Sequence, residues 1–377
     1  MVKKSKKKYR LLLSFTIFYT SIYSDSLWNN ILHYPIFNYI RYILLGCMLI
    51  AFLYKFAITS NSKRQMITYL YLLIFLVYNF LFHNGMALVP IVIFCLYVSY
   101  LNQREVIHAY ALGLLLCVLL VIPFSLVGIL PKSTSNNLLS YGFSNPNGVG
   151  GFLAIIFMSY LYLSWKRSKV WFLLLYIGAI YLNYSVFVDR TASIGMIIFL
   201  LCYFIKYNIH SLNVIGWLSS FSPIILTIIS LTLAFLYGKY DWIYDVDHWL
   251  SHRIYTWNYY LNTYGLHFIP NNIDFIKAND YELSFYGKNI DILLAGAFDG
   301  GYMYLLLRMG IINTITVLGI LINYINKLRL RKLVALEILL LIFMLLAVTE
   351  SSYIAPYGFF QSYLLVICFS HIVNGKL

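Results

Sequence analysis

Four polar stretches stand out in a chain that is otherwise close to continuous hydrocarbon. Asp189-Arg190-Thr191 and Arg253, the latter within DHWLSHRIYTWNYYLNTYG, each offer a guanidinium. Its planar fork suits phosphate oxygens. An arginine at a helix mouth also serves as an interface anchor, and Arg190 has Asp189 beside it as a partner. AFDGGYMYLLLRMG carries Asp299, a carboxylate able to act as general base, and Arg308 about two helical turns deeper. A lone arginine inside an apolar span is costly and is usually paired or functional; Asp299 and Glu350 are its two candidate partners. Finally, YGFSNPNGVGG places Asn145 and Asn147 at a glycine-rich helix start. The first N–H groups of a helix lack partners and bind anions or sugar hydroxyls. The same glycines also suit a turn followed by close helix packing.

Two further patterns carry less. Asp245-Val246-Asp247 has the D-x-D form of a metal site, and His248 and His252 are four residues apart, but neither has a third ligand at metal spacing. Cys47, Cys95, Cys117, Cys202 and Cys368 all fall in apolar runs and read as inert buried thiols. The reading is no metal and no cofactor.

The elements that must position these residues follow from composition. The chain has 377 residues, 61% hydrophobic and 11% charged, with a mean hydropathy of +0.77. A soluble domain carries about a quarter charged residues, so the class is an all-α integral membrane protein. Apolar runs predict about 12 transmembrane helices within a single polytopic domain, 1–377, with a large, partly helical outer loop near 239–301. Most of the 27 Lys and Arg fall on alternate connections, beginning with KKSKKKYR, and nearly all 13 acids fall on the others. The positive-inside rule then puts both termini in the cytoplasm. The formal charge of +14 is topology, and no nucleic-acid partner is needed to explain it. No small-residue cleavage site follows the first apolar run. In the long loop Leu250, Ile254, Trp257 and Leu261 form one apolar stripe. That predicts a helix lying in the membrane interface with Arg253 at headgroup level.

The order of the motifs adds to this. F-S-N-P-N-G precedes a span, D-R-T-A-S lies at a later turn, H-R-x-x-x-W falls in the large loop, and D-G-G-Y-x-x-L-L-L-R-x-G-I-I opens the next span. Over residues 140–315 this resembles the O-antigen ligase and polysaccharide polymerase superfamily, and most of all the Wzy-type repeat-unit polymerases. The resemblance implies a membrane-embedded, C-type, inverting and metal-independent glycosyltransferase of a bacterial cytoplasmic membrane, making capsular or O-antigen-like polysaccharide. Its donor would be a glycan on undecaprenyl pyrophosphate and its acceptor the sugar end of a second lipid-linked repeat unit. The bilayer, a flippase and a chain-length regulator would be its partners. Carried over, Asp299 becomes the candidate base and Arg190 and Arg253 the pyrophosphate clamp, with Asn145, Asn147 and Arg308 as further substrate-binding residues. The ligase branch has a histidine where this chain reads Asp299-Gly300, which argues for polymerase over ligase. It also leaves open that Asp299 braces an arginine instead. A ligase-like transferase and a lipid-linked oligosaccharide flippase are the alternatives.

Overall fold

Leu, Ile, Phe and Tyr dominate runs of 12 to 24 residues in this chain, and such runs satisfy their backbone in lipid only as helices. The computed structural model describes residues 2–28, 35–81, 85–133, 139–144, 146–205, 213–271, 273, 299–350, 353–354 and 363–374. Its elements are α1 (Val2–Asp25), α2 (Pro35–Ile58), α3 (Lys63–Leu81), α4 (Gly85–Val98), α5 (Gln103–Leu126), α6 (Pro146–Leu163) and α7 (Val170–Ser185). There follow α8 (Arg190–Phe204), α9 (Asn213–Leu236), α10 (Asp241–Trp249), α11 (Arg253–Tyr264), α12 (Gly301–Leu330), α13 (Val334–Leu346) and α14 (Tyr363–Asn374). Among the described residues there is no strand beyond two isolated bridges.

Four of these helices are long and apolar enough to cross a membrane: α2 over Tyr39–Ile58, α5, α9 over Ser219–Leu236, and α12. Exposed Leu and Ile along α2, α3, α7 and α8 leave a hydrocarbon-like surface, as expected where lipid replaces water. The molecule is a helical membrane protein.

Local chemistry sets the helix ends. Asn102 accepts from the Glu105 amide at 2.9 Å while the Glu105 carboxylate accepts from the Asn102 amide at 3.1 Å. This capping box starts α5 and occupies one of the few acids outside the polar loops. α5 then lies flush on α1 through Gly113, where a Cβ would come within 2.6 Å of the Ser14 carbonyl.

Two departures from the sequence reading matter for the site. The expected interfacial helix is two, α10 and α11, separated by Ser251 and His252 in left-handed backbone. Its apolar stripe faces protein: Ile254 and Trp257 are fully buried, and Asn258 donates to the Ala234 carbonyl of α9 at 2.8 Å. The chain following α11 then turns inward. The amides of Ile311 and Ile312 donate to the carbonyls of His267 and Phe268 at 2.9 and 3.1 Å, and the Asn271 amide donates to the Arg308 carbonyl at 3.0 Å. α12 is interrupted at that point by a π turn, Leu305–Met309, and by Gly310 at φ 79°. The inserted strap supplies the hydrogen bonds that the break removes.

Candidate functional site

Asp189 sits in the turn between α7 and α8, where helix α8 needs a cap. Its Oδ1 accepts from the Ala192 amide at 2.9 Å, and Ser193 Oγ donates to its carbonyl at 2.7 Å. The carboxylate is thereby turned inward, and Asp189 is 4% exposed. It forms no ion pair with its neighbour Arg190, the pairing that the sequence offered. Arg190, the first residue of α8, is exposed and makes no ion pair among the described residues.

Arg253 opens α11. Its Nη1 donates to the Leu250 carbonyl at 3.3 Å, and its Nη2 lies 2.6 Å from Glu350 Oε1 and 3.5 Å from Asp299 Oδ2. The side chain is 11% exposed, Glu350 17% and Asp299 36%. The tighter, drier bond belongs to Glu350, which leaves Asp299 as the carboxylate with access. Trp257, one turn along α11, fixes Asp299 from behind, its indole N–H donating to the Asp299 carbonyl at 2.7 Å. Gly300 follows at φ 107°, and a Cβ there would meet that indole at 2.5 Å. Only glycine satisfies both the dihedral and the contact.

Two carboxylates therefore hold one guanidinium, with Asp189 near enough to act on the group electrostatically, and their proton affinities follow from that. Burial pushes Asp189 up to about 6, with Asp299 adding to the rise and Ala192 and Arg253 opposing it. Burial also raises Asp299 above the ordinary carboxylate range against the pull of Arg253. Glu350 is also raised well above that range, by burial and then by the charge of Asp299.

A groove of about 730 Å³ runs beside this cluster. Arg190, Thr191, Ile194 and Ile198 of α8 form one wall, and Ile342, Leu345, Leu346, Val348 and Thr349 of α13 and its end form another. His248, Trp249 and Leu250 close it. Arg253 is bonded to the carbonyl of that last residue, and Glu350 follows Thr349, so the cluster stands directly behind two of the walls.

The opening stretch of α6 reaches the same place. A Cβ on Gly150 would overlap the Asp189 carboxylate, and one on Gly151 would approach the Tyr353 hydroxyl at 3.1 Å. Asn183 Nδ2 donates to the Gly150 carbonyl at 3.1 Å, and the Asp189 amide to the Asn183 carbonyl at 3.0 Å. Those two glycines serve close packing of α6 against the cap of α8. Asn147 is half-buried in the first turn of α6, one turn from Gly150, and Asn145 lies outside the described residues.

Arg308 does not join the cluster through the acids expected of it, since both Asp299 and Glu350 turn to Arg253. It lies at the break in α12, with its guanidinium 5.6 Å from the centre of the Tyr304 ring. Asp247 of the D-x-D pattern is 1% exposed and holds the α10–α11 corner, accepting from the Tyr255 amide at 3.0 Å. His252 Nδ1 lies 3.2 Å from its other oxygen.

Sequence reasoning weighed Asp189 and Glu350 only as partners for Arg190 and Arg308. One signal could have found them: each is an acid at an apolar helix end. Left-handed backbone supplies another mark of the site. Val188, Ser251, His252 and Gly300 carry positive φ directly beside Asp189, Arg253 and Asp299. For a β-branched residue such as Val188 that conformation is costly and persists only where the surroundings impose it. Compared with protein-family models, curated proteins and solved structures, the chain finds no significant match.

Proposed function

We propose that the protein is a polymerase of surface polysaccharide, an inverting and metal-independent glycosyltransferase in a bacterial cytoplasmic membrane. The observation that carries this reading is one neighbourhood holding an exposed arginine in an apolar groove and a partly open carboxylate of raised proton affinity. The apolar part of the groove suits the polyprenyl tail of a lipid-linked glycan, and Arg190 at its wall suits the pyrophosphate. Asp299 would take the proton of the acceptor hydroxyl as that oxygen attacks the anomeric carbon of the donor sugar. The bond from that carbon to the pyrophosphate breaks, and the departing negative charge falls to Arg190. Arg253, held by Glu350, sets the position and charge of Asp299; it reaches a phosphate only by loosening its own ion pairs. In this reading the chain crosses the bilayer about twelve times, both termini are cytoplasmic, and the cluster faces outward.

The first test is deletion of the gene followed by analysis of lipid-linked glycans with a membrane-impermeant probe. Single repeat units accumulating on the outer face are expected. Long lipid-linked chains awaiting transfer would mean a ligase. Asp299→Asn should lower polymer formation by about 100-fold or more while the protein stays folded. The wild-type rate should fall with acidity at a pH above the ordinary carboxylate range, because only the ionised base accepts a proton and burial raises Asp299. A normal rate in Asp299→Asn removes it as the base. A second reading, a flippase, rests on the break in α12 with its inserted strap, since interrupted helices line substrate paths in transporters. Single units trapped on the inner face would decide for it.

A further inference from the structure

The two histidines of the α10–α11 corner have no part in the chemistry above, yet one of them stands in the groove. Ser251 and His252 turn the chain in left-handed backbone, and the buried Asp247 holds that turn. The His252 amide donates to the Asp247 carbonyl at 2.8 Å, and its Nδ1 lies 3.2 Å from Asp247 Oδ2. The His248 ring packs edge to face on the His252 ring, with centres 5.6 Å apart. A ring tethered to a buried carboxylate thus backs the ring of His248. His248 itself is exposed and lines the same groove as Arg190 and Thr191.

Arg190 and His248 both belong to the end of the groove beside the carboxylate cluster. Arg190 follows Asp189 directly, and Arg253 acts electrostatically on Asp189. Arg253 Nη1 in turn donates at 3.3 Å to the carbonyl of Leu250, two residues after His248. From Arg190 the groove follows α8 past Ile194 to Ile198, about 12 Å further along the helix axis. The exposed aromatics of α10 mark the depth of the polar end. Trp242, Tyr244 and Trp249 are 51%, 48% and 86% exposed, and Trp and Tyr on the outside of membrane proteins gather at headgroup level. Polar donors at that depth, continuous with an apolar trough, match an amphiphile with an anionic head.

The donors also suit a head with two phosphates. A guanidinium is always charged and only donates, and an imidazole carries a donor N–H whether neutral or charged. A pyrophosphate carries more negative charge than one guanidinium balances, so a second donor from another wall strengthens its hold.

We propose that His248 is a second ligand of a pyrophosphate head, binding it together with Arg190. This inference rests on the reading of the groove as the seat of a polyprenyl pyrophosphate, and adds to it the residue that completes the head site.

The test is retention of farnesyl pyrophosphate and of farnesol by the purified full-length chain in phosphatidylcholine nanodiscs, read by native mass spectrometry. Wild type should retain the pyrophosphate preferentially. His248→Gln should lower its retention about tenfold, as expected for losing one charge-assisted hydrogen bond. Farnesol retention should not change, because the apolar trough is untouched. His248→Arg restores a donor and should recover most of the loss. Equal losses of farnesyl pyrophosphate and farnesol in His248→Gln would make His248 a packing residue and overturn the inference. An equal loss of the pyrophosphate in Lys239→Gln, which removes an exposed charge just before α10, would mean general charge attraction and overturn it too. If Arg190→Ala loses the pyrophosphate and His248→Gln does not, the reading of the groove stands and the role of His248 falls. If wild type shows no preference for the pyrophosphate over farnesol, the reading of the groove itself fails, and the inference with it.

Discussion

The two polar ends of the bundle solve opposite problems. At one, Arg253 is enclosed by Glu350, Asp299 and, further off, Asp189, so that acids outnumber the cation and hold protons more tightly than usual. At the other, Arg104 donates to the Leu163 carbonyl, and neither it nor Arg10 has a carboxylate in ion-pair range among the described residues. The first end is closed on itself, its cation paired with carboxylates of the same chain. Charge sign alone does not distinguish them; the number of internal partners does.

Arg253→Ala tests that contrast with the largest effect. It leaves three acids facing one another in poorly hydrated surroundings, and breaking such a pair costs about 3 kcal/mol. Polymer should vanish and the melting temperature fall, whereas Arg10→Ala at the other end should leave stability nearly unchanged in detergent. A melting temperature equally lowered in both would erase the contrast. Arg190→Ala comes next. It should abolish polymer with no loss of stability, because Arg190 makes no ion pair among the described residues. Arg190→Lys should restore only part of the activity, since the bidentate fork is lost. Normal polymer from the alanine variant would sink the role of the groove.

Gly150→Ala should cost about 2 kcal/mol through the collision with Asp189, while Gly148→Ala, which meets nothing within 4 Å, should be neutral or slightly stabilising. Thermal melts of the two separate packing from binding in the glycine-rich stretch. The smallest effect belongs to Asp189→Asn, which keeps the cap but removes the charge. The folded-state proton affinity of Asp189 is raised, so its contribution is fully present below about pH 4 and lost as pH rises through about 6. Wild type should therefore lose stability over that interval. The variant should lose less, and at neutral pH it should exceed wild type by about 1 kcal/mol. Identical pH slopes would mean that Asp189 is not the titrating group.

Much of the site was legible because charge is rare in this chain. Arg190, Arg253 and Asp299 were singled out by residue type in apolar surroundings, and the structure puts Arg253 and Asp299 within 3.5 Å and Arg190 on the adjoining groove. The partner of Arg253 was not legible, because Glu350 lies 97 residues away and no local spacing links them. The stripe Leu250–Leu261 announced a buried helix face correctly but not what buries it. Periodicity specifies an apolar side and is silent on whether lipid or protein covers it. The corner at Ser251 and His252 was equally hidden, since two non-glycine residues there adopt left-handed backbone only because Asp247 holds them.

Composition alone determined that this chain is helical and membrane-embedded, because an apolar run in lipid has no other way to satisfy its backbone. The lysine and arginine pattern likewise proposed its orientation without any contact being known. Only the tertiary structure decided which acid Arg253 would hold, that the chain after α11 would strap into a break in α12, and that the glycines of the N-P-N-G-V-G-G stretch would seat α6 on the Asp189 cap. Those outcomes depend on distances between residues far apart in sequence, and such distances exist only once the helices have packed.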